Sequence, residues 1–219
     1  PPFPDTSIFY NQNTKKNKFK KEFSSKYNIP ENTPWILTVA MMRDDKSKLE
    51  SYEILSKSMK LLNQNFSLLV VGSGPKKTYV EKQLKESINE KVFMLGEMIP
   101  LDLANLYNCS DLFAWPGVNE AFGLSYLEAQ ACGLPIVAGN SGGVSDVMID
   151  NKTGILVDIT NKNPVKFSKA LEKLLTNMKL RYNMGIEAEN FILTERSLET
   201  TADKLNIILK LVSDNYKLR

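Results

Sequence analysis

Histidine does not occur anywhere in the 219 residues. Its absence removes the serine–histidine triad, the cysteine–histidine dyad and most zinc sites together. Any acid–base chemistry therefore falls to carboxylates, lysines or tyrosines, or to another chain segment. Cysteine is scarce too. Cys109 and Cys132 do not make a disulfide framework, and a reducing, cytosolic setting is the simplest expectation. In that setting the Asn-x-Ser/Thr triplets at Asn65, Asn108 and Asn151 are chance matches rather than glycan acceptors. No apolar run approaches the ~20 residues that a membrane-spanning helix needs. The opening Pro1-Pro2-Phe3-Pro4 has no secretion-signal pattern and is compatible with an internal cut point. An excess of one charge sign is also missing: 28 basic against 25 acidic side chains give +3, too balanced to point to a nucleic-acid partner.

Forty-two per cent of the residues are hydrophobic, enough for a sizeable core. Short apolar or β-branched runs alternate with amphipathic stretches from about residue 35 to 160. Strands are predicted at Trp35–Ala40, Phe66–Gly72, Val92–Leu95, Leu112–Trp115, Pro135–Ala138 and Ile155–Val157. Leu49, Tyr52, Leu55, Met59 and Leu62 recur at helical spacing between the first two, and further helices are predicted over Lys76–Ile88 and Leu124–Cys132. Alternating strands and helices imply a mostly parallel α/β sheet, Rossmann-like, covered on both faces.

The chain divides into 1–34, 35–163 and 164–219. The first part ends in a basic helix opened by Lys15, Lys16, Lys18, Lys20 and Lys21, with Phe19, Phe23 and Tyr27 four apart on one side. It reads as docked by its aromatic stripe with lysines in water; a peripheral membrane contact is the alternative. The last part is helical and expected to pack on the core. Phe167, Ala170, Leu171, Leu174, Leu175 and Met178 form one apolar stripe; Leu198, Ala202, Leu205, Leu209, Val212 and Tyr216 form a second.

Two segments carry chemistry-bearing patterns. Val71-Gly72-Ser73-Gly74-Pro75 ends a strand in a Gly-x-Gly turn. Glycines there either let the backbone approach a phosphate or simply make a strand-to-helix turn. Lys77 stands where the third glycine of a dinucleotide fingerprint belongs. Asn119-Glu120-Ala121-Phe122-Gly123-Leu124-Ser125-Tyr126-Leu127-Glu128, closing at Gly133-Leu134-Pro135, follows a strand and enters a helix. The amides of Phe122, Gly123, Leu124 and Ser125 point at whatever fills the loop mouth, which suits an anionic diphosphate. Glu120 lies just before the helix, and Glu128 sits on the face of Leu124, four residues on. Both carboxylates suit sugar hydroxyls; the plainer alternative makes one a helix-start stabiliser and the other a surface residue.

This block resembles the signature of the family 4 glycosyltransferases, in which seven residues separate two glutamates, here Glu120 and Glu128. Other pieces are similar to the family in the same order: Pro2, Pro4, Asp5 and Phe9 as the interdomain linker; Ile36–Ala40 followed by Arg43 and Lys46; Gly72–Pro75; Val92–Gly96; Gly142-Gly143; and Asp150–Gly154. The resemblance implies one half of a GT-B enzyme that transfers a hexosyl group from a UDP or GDP sugar with retention. It implies that Glu120 holds the sugar with the amides of Phe122 and Gly123, and that Glu128 accepts from the ribose. Arg43 and Lys46 would neutralise the diphosphate with the amides of Leu124 and Ser125, and Gly96, Glu97 and Met98 would meet the base. No metal or further cofactor is then required. The sequence departs from the family after the lysine, reading Lys46-Ser47-Lys48 instead of lysine–glycine, so Lys48 is the alternative phosphate ligand. Asp44-Asp45 reads as a surface loop rather than a metal pair. Gly142-Gly143-Val144 with Asp146 shapes the sugar pocket or only turns the chain.

The partner domain that binds the acceptor, a sugar or lipid, is expected to lie outside this chain. The isolated chain is then expected to bind its donor weakly and to transfer poorly. A bacterial envelope polysaccharide or lipid-linked glycan made at the inner membrane face is the expected destination. A GT-B epimerase, a sugar-phosphate synthase, a nicotinamide-binding domain and a non-catalytic sugar-nucleotide module are the competing expectations. The glutamate spacing favours the transferase, and the incomplete fingerprint counts against the nicotinamide domain.

Overall fold

The computed structural model describes residues 8–9 and 16–217. Pro2, Pro4 and Asp5 of the linker pattern, and Lys15 of the basic run, lie outside them. Six strands form one parallel sheet: β1 Trp35–Val39, β2 Ser67–Val71, β3 Val92–Gly96, β4 Leu112–Trp115, β5 Ile136–Gly139 and β6 Gly154–Val157. Their order is β3-β2-β1-β4-β5-β6. The chain therefore builds outward from β1 to β3 and returns to the other side of β1 with β4. Sequence and structure agree on all six strands to within a residue or so at each end. Helices lie over both faces, so the central strands read as continuous apolar runs rather than alternating ones. All five residues of β2 are buried.

The helices are α1 Lys16–Tyr27, α2 Lys46–Lys60, α3 Lys77–Ile88, α4 Pro100–Cys109, α5 Leu124–Ala131, α6 Pro164–Thr176, α7 Met178–Phe191 and α8 Leu198–Lys217. Helix α2 packs between α3 and α6, whereas α4 contacts α1 and α5. Some starts are chemically marked. The Asp45 carboxylate caps α2 by accepting from the Lys48 amide at 2.8 Å, and Asn163 caps α6 ahead of Pro164. Trp35, Tyr52, Tyr107, Trp115 and Tyr126 are fully buried; the Tyr52 and Trp115 rings meet edge to face at 4.8 Å.

Three expectations need correction. Lysines of α1 are not all in water: Lys20 lies 3.1 Å from Asp111, which also receives the Trp35 amide at 2.8 Å. The aromatic stripe itself docks the helix as expected, with Phe23 buried and Phe19 and Tyr27 partly so. Met178 does not extend the stripe of α6; Asn177 ends that helix and caps α7, leaving Met178 73% exposed. Helix α8 does not cover the core. It leaves the π-helical turn Ile192–Arg196, and Leu205, Leu209 and Val212 are exposed. A helical apolar stripe records that a face can be buried, not which surface buries it. Among the described residues no helix is long and apolar enough to cross a membrane.

Candidate nucleotide-sugar cleft

In the strand order, β1 is the point from which the chain first leaves toward β2 and to whose other side it returns with β4. Loops leaving the carboxyl ends of two such strands diverge and leave a crevice, where open α/β sheets bind ligands. Here the crevice is a cleft of about 670 Å³, a size usual for small-molecule sites. Val39, Ala40 and Met41 leave β1 on one side, Val71 and Gly72 end β2, Trp115 ends β4, and Leu103 reaches in from α4. The opposite wall is the stretch from Glu120 to Ser125, with Glu128 one turn deeper in α5.

Helix α5 begins without a side-chain cap, its N-cap being Gly123. The amides of Phe122, Gly123, Leu124 and Ser125 find no protein acceptor among the described residues. They form a donor-rich, partly positive mouth suited to an anion. Glu120 is tied down from behind. Its carbonyl accepts from the Gly143 amide at 3.0 Å, and the Asn119 amide donates to Ser141 Oγ at 2.9 Å. Gly142 makes this possible: at φ +58° a Cβ would stand 2.0 Å from the Glu120 carbonyl oxygen. The Gly142-Gly143 pair is therefore a backbone clamp on the Glu120 loop.

The side chains converge. Lys48 Nζ donates to Glu120 Oε2 at 2.6 Å and lies 5.5 Å from the centre of the Trp115 ring. Trp115 Nε1 donates to the same oxygen at 3.3 Å. Arg43 lines the cleft mouth and is exposed. Deeper in, the Tyr107 hydroxyl donates to Glu128 Oε2 at 2.9 Å. Burial raises the Glu128 carboxyl above the ordinary value of 4.5, and the Tyr107 hydrogen bond opposes that rise. Burial and the adjacent Glu128 push the Tyr107 phenol well above the usual tyrosine value. Among the described residues no group of three or more acidic or cysteine side chains is placed to hold a metal.

The structure brings Glu120, Glu128, Arg43, Phe122, Gly123, Leu124, Ser125 and Gly72 to one cleft. It does not bring Lys46 there. Lys46 opens α2, 87% exposed, and faces Glu50 at 3.9 Å. Two residues on, about 200° around the helix, Lys48 points the other way and enters the cleft. Gly74, Gly96, Glu97 and Met98 do not line it either. The Gly72 amide donates to the Gly96 carbonyl at 2.8 Å, and a Cβ on Gly72 would stand 2.1 Å from the Ala40 carbonyl. The Gly-x-Gly turn is thus needed so that the loops after β1 and β2 can touch. Sequence reasoning missed Trp115, Leu103 and Tyr107 as site residues. The last two sit on α4, which was not assigned as a helix; Pro100 followed by Asp102 in the first turn was its available signal.

A profile of the family described as "Glycosyl transferases group 1" matches residues 19–191, most of the chain and every residue of the cleft. The chain belongs to this family. It is 38% identical over 110 residues to the D-inositol 3-phosphate glycosyltransferase of Corynebacterium diphtheriae, covering 50% of this chain and 25% of that one. It is 33% identical over 150 residues to a GDP-mannose-dependent monoacylated alpha-(1-6)-phosphatidylinositol monomannoside mannosyltransferase of Corynebacterium glutamicum, covering 65% and 38%. The solved glycosyltransferase of Rickettsia africae superposes with a TM-score of 0.80 at 26% identity, over 98% of this chain and 56% of that one. The chain thus spans well under two thirds of the length of these family members. Its fold is one Rossmann-like unit of the GT-B type with a helical C-terminal extension.

Proposed function

We propose that this chain is the donor-binding half of a retaining glycosyltransferase that uses a nucleoside-diphosphate sugar. One observation carries the reading: Glu120, Glu128, Lys48, Arg43 and the bare amides of α5 share a single cleft at the switch point of the sheet. The diphosphate lies over the α5 amides, with Lys48 and Arg43 beside it. Glu120 takes the sugar hydroxyls, with the amides of Phe122 and Gly123, and Glu128 takes the ribose. The base extends past Gly72 toward Gly96, which ends β3, and toward Glu97 and Met98 just after it. As the bond from the anomeric carbon to the diphosphate breaks, negative charge grows on the leaving phosphate oxygen. Fixed donors aimed there are worth ~3–4 kcal/mol each in comparable sites. The sugar passes to an acceptor hydroxyl held by a second domain, an acceptor of sugar or lipid type. A cytoplasmic setting at the inner membrane face, in the synthesis of a surface glycan, belongs to the same proposal, and the free buried thiols of Cys109 and Cys132 suit it. Calorimetry with UDP, GDP and NAD is the test: one of the first two binds, NAD does not, and Glu128→Ala removes the ribose-dependent part. Binding of NAD alone would overturn the reading.

A further inference from the structure

We propose that Tyr107 is a positioning residue for nucleotide binding: its hydroxyl holds Glu128 Oε2 so that Oε1 is the oxygen presented to the ribose. The inference rests on the reading of Glu128 given above. Tyr107 is fully buried on α4, the helix that packs beside α5. Its ring is held by Phe9, edge to face, and by the tilted ring of Phe113, each with centroids 6.1 Å away, so the hydroxyl has a set direction. That direction ends on Glu128 Oε2 at 2.9 Å, with the Ser125 carbonyl a weaker second acceptor at 3.4 Å. A phenol can donate only one proton, whereas a carboxylate can accept about four hydrogen bonds. The contact therefore orients Glu128 without exhausting it. The same donor favours the ionised carboxylate over the protonated acid, which burial would otherwise favour. The other titratable groups near this carboxylate are Cys132 at the C-cap of its own helix and, elsewhere around the cleft, Arg43, Lys48 and Glu120.

The test compares UDP and GDP with their 2′,3′-dideoxy analogues, by calorimetry from pH 5 to 8, on the chain and on Tyr107→Phe and Glu128→Gln. Tyr107→Phe keeps the ring and its packing. It is expected to weaken the ribonucleotide by roughly 5- to 20-fold, to leave the dideoxy analogue unchanged, and to move the acid limb of binding to higher pH. Glu128→Gln is expected to abolish the preference for the ribonucleotide. If Glu128→Gln leaves that preference intact, or if neither nucleotide binds the unaltered chain, the reading of Glu128 fails and the role of Tyr107 with it. If Glu128→Gln removes the preference while Tyr107→Phe keeps both the preference and the acid limb, the positioning role alone is overturned. Equal weakening of both analogues by Tyr107→Phe, the mark of a purely structural side chain, overturns it too.

Discussion

Lys48 Nζ and Glu120 Oε2 lie 2.6 Å apart across 72 residues of sequence, in side chains only 21% and 18% exposed. One is the cation proposed to meet the diphosphate and the other the carboxylate proposed to meet the sugar. In the free protein each keeps the other partly neutralised and oriented, so neither stands as an isolated charge in a half-buried cleft.

Because Lys48 and not Lys46 faces the cleft, the two lysines have separable effects. Lys48→Ala should weaken binding of UDP or GDP by ~10- to 100-fold, the worth of a hydrogen bond to a charged group. Lys46→Ala should change it less than about 2-fold, since an exposed i,i+4 pair is worth only ~0.3–0.5 kcal/mol. Calorimetry on the two variants checks this, and the reverse ranking would restore the order expected from sequence.

Gly142→Ala tests the backbone clamp. Its Cβ would meet the Glu120 carbonyl at 2.0 Å from a left-handed backbone, a strain of ~1–3 kcal/mol. The melting temperature should drop by several degrees, at ~2–4 °C per kcal/mol for a domain of this size. Nucleotide-sugar binding should fall in the same variant, because the Glu120 loop must move. A scanning calorimeter and a donor titration read both.

Glu128 should cost the free protein stability. Its folded-state pKa is raised, chiefly by burial, so its ionised form is favoured less in the folded chain than in the unfolded one. The penalty is complete above the folded pKa and fades as pH falls through it toward the ordinary value of 4.5. Glu128→Gln should therefore raise the melting temperature at pH 7, and the gain should vanish near pH 4. Thermal melts of both proteins across that range check the sign. A stability gain bought at the expense of binding is common where function keeps a polar group buried.

Much of this was legible before any coordinates. Strand identities followed from apolar runs bounded by turn residues, and the glutamate block singled out Glu120, Glu128 and the α5 amides, which the structure brings to one cleft. Helix α4 offered only Pro100 and Asp102 as a start signal, because Ala104, Leu106, Tyr107, Asn108 and Cys109 are all buried, polar and apolar alike, which blurs its apolar period. The choice between Lys46 and Lys48 depended on the rotation of α2, which Asp45 fixes by capping it. The stripe on α8 had a period but no partner on the core. For α2 and α8 an element's own pattern was visible and its neighbour was not.

Asp111 immediately precedes β4, at the amino ends of the strands and so at the opposite end of the sheet from the cleft, and faces Lys20 at 3.1 Å with Lys16 and Arg181 each at 4.0 Å. Asp111→Asn leaves those partly buried cations without a counter-charge. It should cost about 2–3 kcal/mol, less than a fully buried pair would, while nucleotide binding stays the same. Chemical denaturation and a donor titration on one preparation separate the two effects.

The most direct measurement follows backbone amide resonances of the isotope-labelled chain during titration with UDP and with GDP. Saturable shifts are expected for at least one of them, largest at Phe122, Gly123, Leu124 and Ser125 and accompanied by shifts at Arg43 and Lys48. Saturable binding that leaves those amides still and moves others, or no binding by either nucleotide, would contradict the proposed donor site.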